Sequence, residues 1–269
     1  MAKHHQKVPS EKLRERILGY FSLLRVPLKG EHLDAVLTQA ERERFSHLEF
    51  LERVIAQQAN ERRERSIEWR IRQAQFAEIR TLEGFDWEFN QKAIDRVQIE
   101  ALATCDFIRR GDNLALVGQS GVGKSHLMQA IGRQACVLGY RVRYTTSAGL
   151  LADLTASLAD KTLPQRLRYY GKFQLLIIDE FGFDKIERLE SPQAGSLMYK
   201  VVDSRRQDKS TILITNVDFE DWSSYLGDPP LAMGILDRLV DNAIIIKIVD
   251  GKSYRASRAK RSNAKLSKQ

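Results

Sequence analysis

Gly118-Gln119-Ser120-Gly121-Val122-Gly123-Lys124-Ser125 fills every defined position of the P-loop pattern G-x-x-x-x-G-K-[ST]. Glycines are needed where a backbone curls around phosphate, because a Cβ blocks the close approach. The loop N–H groups then form an anion nest, and the following helix adds the positive end of its dipole. In that arrangement Lys124 would reach the β- and γ-phosphates of a nucleoside triphosphate, and the Ser125 hydroxyl would ligate Mg²⁺.

A second group of chemistry-bearing residues closes the run Leu175-Leu176-Ile177-Ile178-Asp179-Glu180. Four apolar residues followed by two acids read as a buried strand with carboxylates at its C-terminal edge, where open α/β sheets bind ligands. Asp179 would hold Mg²⁺ through its water shell. Glu180 would polarise an attacking water, which points to hydrolysis rather than transfer to a metabolite.

These groups need a scaffold, and the flanking pattern supplies one. Leu114-Ala115-Leu116-Val117 reads as a buried parallel strand entering the loop, and Leu127, Ala130 and Ile131 recur at helical spacing after it. Arg141-Val142-Arg143-Tyr144-Thr145 reads as the next strand, followed by a helix through Leu150, Leu151, Leu154 and Leu158. A helix through Met198 and Val202, a strand at Thr211-Ile212-Leu213-Ile214-Thr215-Asn216 and a last strand near Ile244-Ile245-Ile246 complete the order. Alternating strands and helices predict an α/β fold, a parallel sheet with helices on both faces. Between Thr81 and Phe89 the pattern is linker-like. One amphipathic helix is expected through Val97 and Phe107.

Residues 1–80 carry no strand signal and read as a small all-α domain. Leu13, Ile17, Phe21 and Leu24 mark a helix stopping before Pro27, and Leu33, Val36, Leu37 and Ala40 mark a second after Gly30. Ser46 and Glu49 form a capping-box pair opening a third, with Leu48, Leu51, Val54 and Ile55 on its apolar face. The mixed-charge run from Glu61 to Arg72 extends that helix, as a solvated face or as a DNA contact.

The formal charge of +8 is unevenly placed. Lys252, Arg255, Arg258, Lys260, Arg261, Lys265 and Lys268 give the last eighteen residues seven positive charges and no acid. Such an arm, read as disordered beyond about Ser257, would bind a polyanion without reading its sequence. No stretch approaches the roughly 20 apolar residues of a membrane span, and no signal peptide is visible. Cys105 and Cys136 are expected to be buried reduced thiols in a cytoplasmic protein.

Two further residues extend the site. Asn216 ends the strand after Asp179-Glu180, where its amide would meet the attacking water or γ-phosphate. Arg238, late in a helix within Ile235-Leu236-Asp237-Arg238-Leu239, is placed like a finger offered to the nucleotide of a neighbouring subunit. The order of P-loop, acidic strand, polar sensor and late arginine resembles the AAA+ ATPases. Within them the chain resembles the IstB/DnaC group, specifically IstB-type insertion-sequence ATP-binding proteins. The matching stretches are Thr81-Leu82-Glu83-Gly84-Phe85-Asp86, the P-loop, Asp179-Glu180-Phe181-Gly182, Leu213-Ile214-Thr215-Asn216, residues 235–239 and Gly251-Lys252-Ser253-Tyr254-Arg255. Phe183-Asp184-Lys185 departs from the family's usual turn at that point.

The resemblance implies ATP with Mg²⁺ and an AAA+ domain over residues 81–255 without a C-terminal lid; the basic tail read from its charge then occupies 256–269. It implies a homo-oligomer assembled on duplex DNA, largely without sequence preference, that engages a cognate transposase as a transposition helper. A DnaC-like loader with a replicative helicase as partner shares the same core motifs. A small-molecule P-loop kinase would leave Asn216, Arg238 and the basic tail without a role. His126 is expected to be an ordinary helix residue. Arg205 and Arg206 read either as surface charges or as contacts to a neighbouring subunit or DNA.

Overall fold

The computed structural model describes residues 10–182, 193–205, 208–240 and 243–257. They fall into two compact units, residues 1–68 and 69–269. The division lies ahead of the composition change at Thr81, because Ile71, Ala74 and Phe76 already join the core of the larger unit.

The first unit contains α1 (Ser10–Leu23), α2 (Gly30–Glu43) and the start of α3 (His47–Ala74). Its small core is Leu33, Val36 and Val54, with Ile17, Leu18, Phe21, Leu28 and Phe50 partly buried around them. The capping box opening α3 forms as the residue types dictate: Ser46 N–H donates to Glu49 Oε2 at 2.7 Å, and Glu49 N–H donates to Ser46 Oγ at 3.3 Å. The expected apolar faces are only half used. Leu13, Leu24, Leu37, Leu48, Leu51 and Ile55 are exposed. Three short faces do not supply enough surface to bury every leucine of this helical unit.

The larger unit begins its regular structure with α4 (Arg96–Leu102) and α5 (Asp106–Arg110). The single helix expected here is broken. Cys105 sits in the left-handed region at φ 60°, and the Thr104 hydroxyl donates to the Ala101 carbonyl at 2.8 Å, diverting the backbone from helical continuation. The core then follows as β1 (Leu114–Gly118), α6 (Lys124–Val137), β2 (Val142–Thr146), α7 (Ser147–Ala159), α8 (Leu163–Gly171) and β3 (Leu175–Phe181). Next come α9 (Ala194–Asp203), β4 (Ser210–Thr215), α10 (Trp222–Leu226), α11 (Pro229–Val240) and β5 (Ile244–Ile248).

All strand pairs are parallel, in the order β2-β3-β4-β1-β5. Successive side chains of β3 enter different cores: Leu175 and Ile177 pack with Leu127, Met128 and Ile131 of α6, whereas Leu176 and Ile178 pack with α7, α9 and α11. Burial on both faces explains why this strand reads as an unbroken apolar run. The fold is a P-loop AAA+ sheet preceded by helices. Among the described residues, a single helical turn at 254–257 follows β5.

Arg205 is neither a surface charge nor a contact to another molecule. It is 2% exposed and spends its guanidinium on the carbonyls of Tyr170 (2.6 Å), Phe173 (3.1 Å) and Ser210 (2.7 Å) and on Thr211 Oγ1 (3.2 Å). Burial lowers its pKa to about 9, and the acceptors fix the entry into β4. Arg206, the Phe183-Asp184-Lys185 turn and tail residues 258–269 lie outside the described residues. Cys105 and Cys136 are buried free thiols, each pushed up to about 12 chiefly by burial, which leaves them unreactive.

Candidate nucleotide site

β1 delivers the chain at the C-terminal edge of the sheet, and the turn into α6 needs glycine for two separate reasons. Gly121 (φ 82°) and Gly123 (φ 109°) adopt left-handed backbone that disfavours a Cβ. Their neighbours also come close. A Cβ at Gly121 would lie 2.3 Å from Ser253 Oγ, and one at Gly123 would lie 2.8 Å from the Phe85 ring. The loop is therefore moulded by protein on its outer side as well as shaped to receive phosphate.

A cavity of about 310 Å³ opens over this loop. It is lined by Ser120, Gly121, Val122, Gly123, Lys124 and Ser125, by Asp179 and Glu180 at the end of β3, and by Asn216 just after β4. Gly118 and Gln119 lie behind the lining and act through their carbonyls. Lys124, 7% exposed, donates to Gly118 O at 2.6 Å and to Gln119 O at 2.8 Å. Its pKa falls to about 8, mainly through burial; Asp179 opposes that shift and Arg255 adds to it.

Asp179 is 2% exposed, and both its oxygens are spoken for. Tyr144 Oη donates to Oδ2 at 2.8 Å, and the Glu180 N–H donates to Oδ1 at 2.8 Å. Burial, with Asp179 as its partner, drives the Tyr144 phenol far above its usual range, so it stays a donor. Tyr144 went unnoticed in the sequence because its only signal was an alternating position on β2.

Glu180 occupies φ 61°, at the point where the β3–β4 register shifts between Ile178 and Phe181. This bulge turns the Glu180 side chain out of the alternation into the cavity while Asp179 stays buried. Asn216 is positioned by a turn in which Val217 N–H donates to Thr215 Oγ1 at 3.0 Å.

The oxygen donors present, the Ser125 hydroxyl and the Asp179 carboxylate, suit Mg²⁺. That ion commonly takes one or two protein oxygens and keeps water elsewhere. Among the described residues no cluster of three His, Cys, Asp or Glu forms a self-sufficient metal site.

The linker-like stretch from Thr81 turns out to be a wall of this cavity. Gly84, Phe85, Asp86, Phe89 and Asn90 line it, and Phe85 packs against Trp87 and His126 with ring centroids 4.9 and 5.1 Å apart. His126 Nε2 lies 2.8 Å from the Thr81 carbonyl, a structural contact consistent with an ordinary helix residue.

Arg238 does not line the cavity. Its Nε donates to Asp203 Oδ1 at 2.7 Å, its Nη1 to Gly234 O at 3.0 Å, and its guanidinium carbon lies 4.4 Å from the Tyr199 ring centroid. Within one chain it serves α9 and α11 and not the P-loop.

The family model described as IstB-like ATP binding protein matches residues 23–263. The IS21 putative ATP-binding protein of Pseudomonas aeruginosa is 35% identical over 87% of this chain and 86% of its own length. The IS5376 counterpart of Geobacillus stearothermophilus is 32% identical over 90% and 94%. Among solved structures, DnaI superimposes with a TM-score of 0.53 at 22% identity, covering 63% of this chain and 91% of DnaI. AMPPCP-bound DnaA from Aquifex aeolicus gives 0.50 at 20% identity, covering 70% of this chain and 55% of DnaA. These two likenesses concern the fold.

Proposed function

The chain belongs to the IstB-like ATP-binding family, and from that premise we propose that it is a DNA-dependent AAA+ ATPase acting as a helper of transposition. The observation that carries the reading is the convergence of Lys124, Ser125, Asp179, Glu180 and Asn216 on one cavity over a complete P-loop. ATP enters with its phosphates on the N–H groups of residues 120–125, and Lys124 exchanges the Gly118 and Gln119 carbonyls for phosphate oxygens. Ser125, and Asp179 through water, would hold Mg²⁺, which would supply positive charge to the phosphate oxygens. Glu180 takes the proton of the water that attacks the γ-phosphorus as the bond to the β–γ bridging oxygen breaks, and Asn216 orients that water.

Arg238 completes the site from a neighbouring subunit. It does not line its own cavity, so any contact it makes with phosphate would be with the nucleotide of another subunit. ATP thereby holds two copies together. The basic tail attaches the assembly to duplex DNA through phosphate charge, while residues 1–80 engage the transposase. No helix among the described residues is long and apolar enough to cross a membrane.

The test is ATP turnover measured across a range of protein concentrations with and without duplex DNA. Turnover per chain is expected to rise with both. A rate indifferent to dilution and to DNA removes the proposal. Capture of a purified transposase, against a replicative helicase, by the full chain identifies the partner class.

A further inference from the structure

We propose that Phe181 and Trp222 form an aromatic clasp which, with Gly182 as its spacer, holds Glu180 and Asn216 in fixed register across the cavity. These three are positioning residues for hydrolysis and leave ATP binding to the P-loop. The proposal rests on the reading of Glu180 and Asn216 as the groups that handle the attacking water.

Glu180 and Asn216 enter the cavity from the ends of two different strands. Each is tied to a residue of one packed contact. Phe181, next to Glu180, is buried, and its ring lies 4.6 Å from that of Trp222 and 5.4 Å from that of Tyr225, centroid to centroid. Trp222 opens α10, a short way along the chain from Asn216, and meets Phe219 at 5.7 Å. The segment between Asn216 and Trp222 is itself pinned. Val217 N–H turns back onto Thr215 Oγ1 (3.0 Å), Phe219 N–H donates to Asp218 Oδ1 (2.8 Å), and Asp218 pairs with Lys247 of β5 (2.9 Å). Backbone pairing of Phe181 with Thr215 closes the circuit.

A second contact depends on a missing side chain. Gly182 has φ 90°, and a Cβ there would strike Val217 Cγ2 and lie 3.1 Å from Asn216 Oδ1. The turn after Glu180 therefore rests directly on the Asn216-Val217 pair. Glu180 itself is held at φ 61°. Left-handed backbone persists at a non-glycine residue only where the surroundings over-determine it, and the buried Phe181 ring with Gly182 beyond it does so here. Trp222 serves by the area of its ring. A buried indole N–H usually finds an acceptor, yet that of Trp222 has no hydrogen-bond partner among the described residues, so packing alone retains it.

ATP turnover at fixed protein and duplex DNA concentrations, beside calorimetric ATP affinity, tests this on the full chain with Mg²⁺. Gly182→Ala and Trp222→Leu are expected to slow turnover about 10²-fold while affinity stays within about twofold, since a shift of about 1 Å in a catalytic group suffices. Trp222→Phe keeps an aromatic face and should recover most of what Trp222→Leu loses. Adding Val217→Ala to Gly182→Ala removes the methyl in the way and should restore part of the rate. A purely local backbone defect at position 182 would show no such recovery, and this pair carries the test should Trp222→Leu fail to fold. Unchanged turnover in Gly182→Ala, no recovery on adding Val217→Ala, or a loss of affinity equal to the loss of rate overturns the clasp. ATP bound but never hydrolysed by the unmodified protein removes the water-handling reading, and this proposal with it.

Discussion

Tyr144 on β2 holds Asp179 on the neighbouring β3 by a 2.8 Å hydrogen bond from its hydroxyl to Oδ2. The carboxylate therefore meets the cavity already oriented, with its other oxygen fixed by the Glu180 N–H. Because the acceptor is a buried carboxylate oxygen, the bond is worth more than an ordinary one. Tyr144→Phe should lower stability by about 1.5–3 kcal/mol. It should also raise the Mg²⁺ concentration needed for half-maximal ATP turnover, because the carboxylate then keeps only the Glu180 N–H to orient it. Denaturant melts and a Mg²⁺ titration check both parts; an unchanged Mg²⁺ requirement would deny Tyr144 its positioning role.

Glu180 at φ 61° pays a conformational cost that only glycine avoids. Left-handed backbone costs a non-glycine residue about 1–2 kcal/mol, and the flexible unfolded state of glycine takes part of that back. Glu180→Gly should then stabilise the protein by roughly 0.5–1 kcal/mol while abolishing hydrolysis. Glu180→Gln should keep the strain, bind ATP and accumulate the ATP-bound assembly. A destabilised Glu180→Gly in chemical melts would count against stored strain at this position.

Lys124 gives the site a pH signature. Its pKa in the folded protein is depressed to about 8, below the ordinary lysine value, so the ammonium is charged below pH 8 and is lost as pH rises through it. Phosphate favours the charged form, and ATP binding must take up a proton where the free protein has lost one. The apparent Kd for ATP should accordingly rise above pH 8 and stay flat below about pH 7. Calorimetry at pH 8.5 in two buffers of different ionisation enthalpy measures the proton directly. Identical heats in the two buffers exclude the linkage.

Arg238 in trans predicts complementation. Arg238→Ala should bind ATP normally and lose turnover by about 10³-fold or more, whereas Lys124→Ala should not bind. A mixture of the two pairs an intact cradle with an intact arginine across some junctions and should recover part of the activity. No recovery at any mixing ratio argues against a shared site.

The sequence was most legible where one residue type serves one local need. The P-loop glycines, the apolar run of β3 with its terminal acids, and the Ser46–Glu49 cap all follow from short-range rules. The residues that escaped are set by distant partners. Asn90 gains its meaning from Lys252, Tyr144 from Asp179, and Arg205 from four acceptors on α8, β4 and the segment before β3. None of those pairings leaves a spacing that can be counted along the chain. The break at Cys105 was hidden for the opposite reason, since the apolar period continues across it while the backbone does not.

The seam between Gly121 and Ser253 makes the phosphate loop and the segment after β5 mutually dependent for their shape. A residue more than a hundred positions from the P-loop in sequence can thus deform the phosphate loop by pressing on it from outside. Bulk introduced at position 253 would produce a protein whose hallmark residues all survive in its gene and whose grip on nucleotide is nonetheless gone.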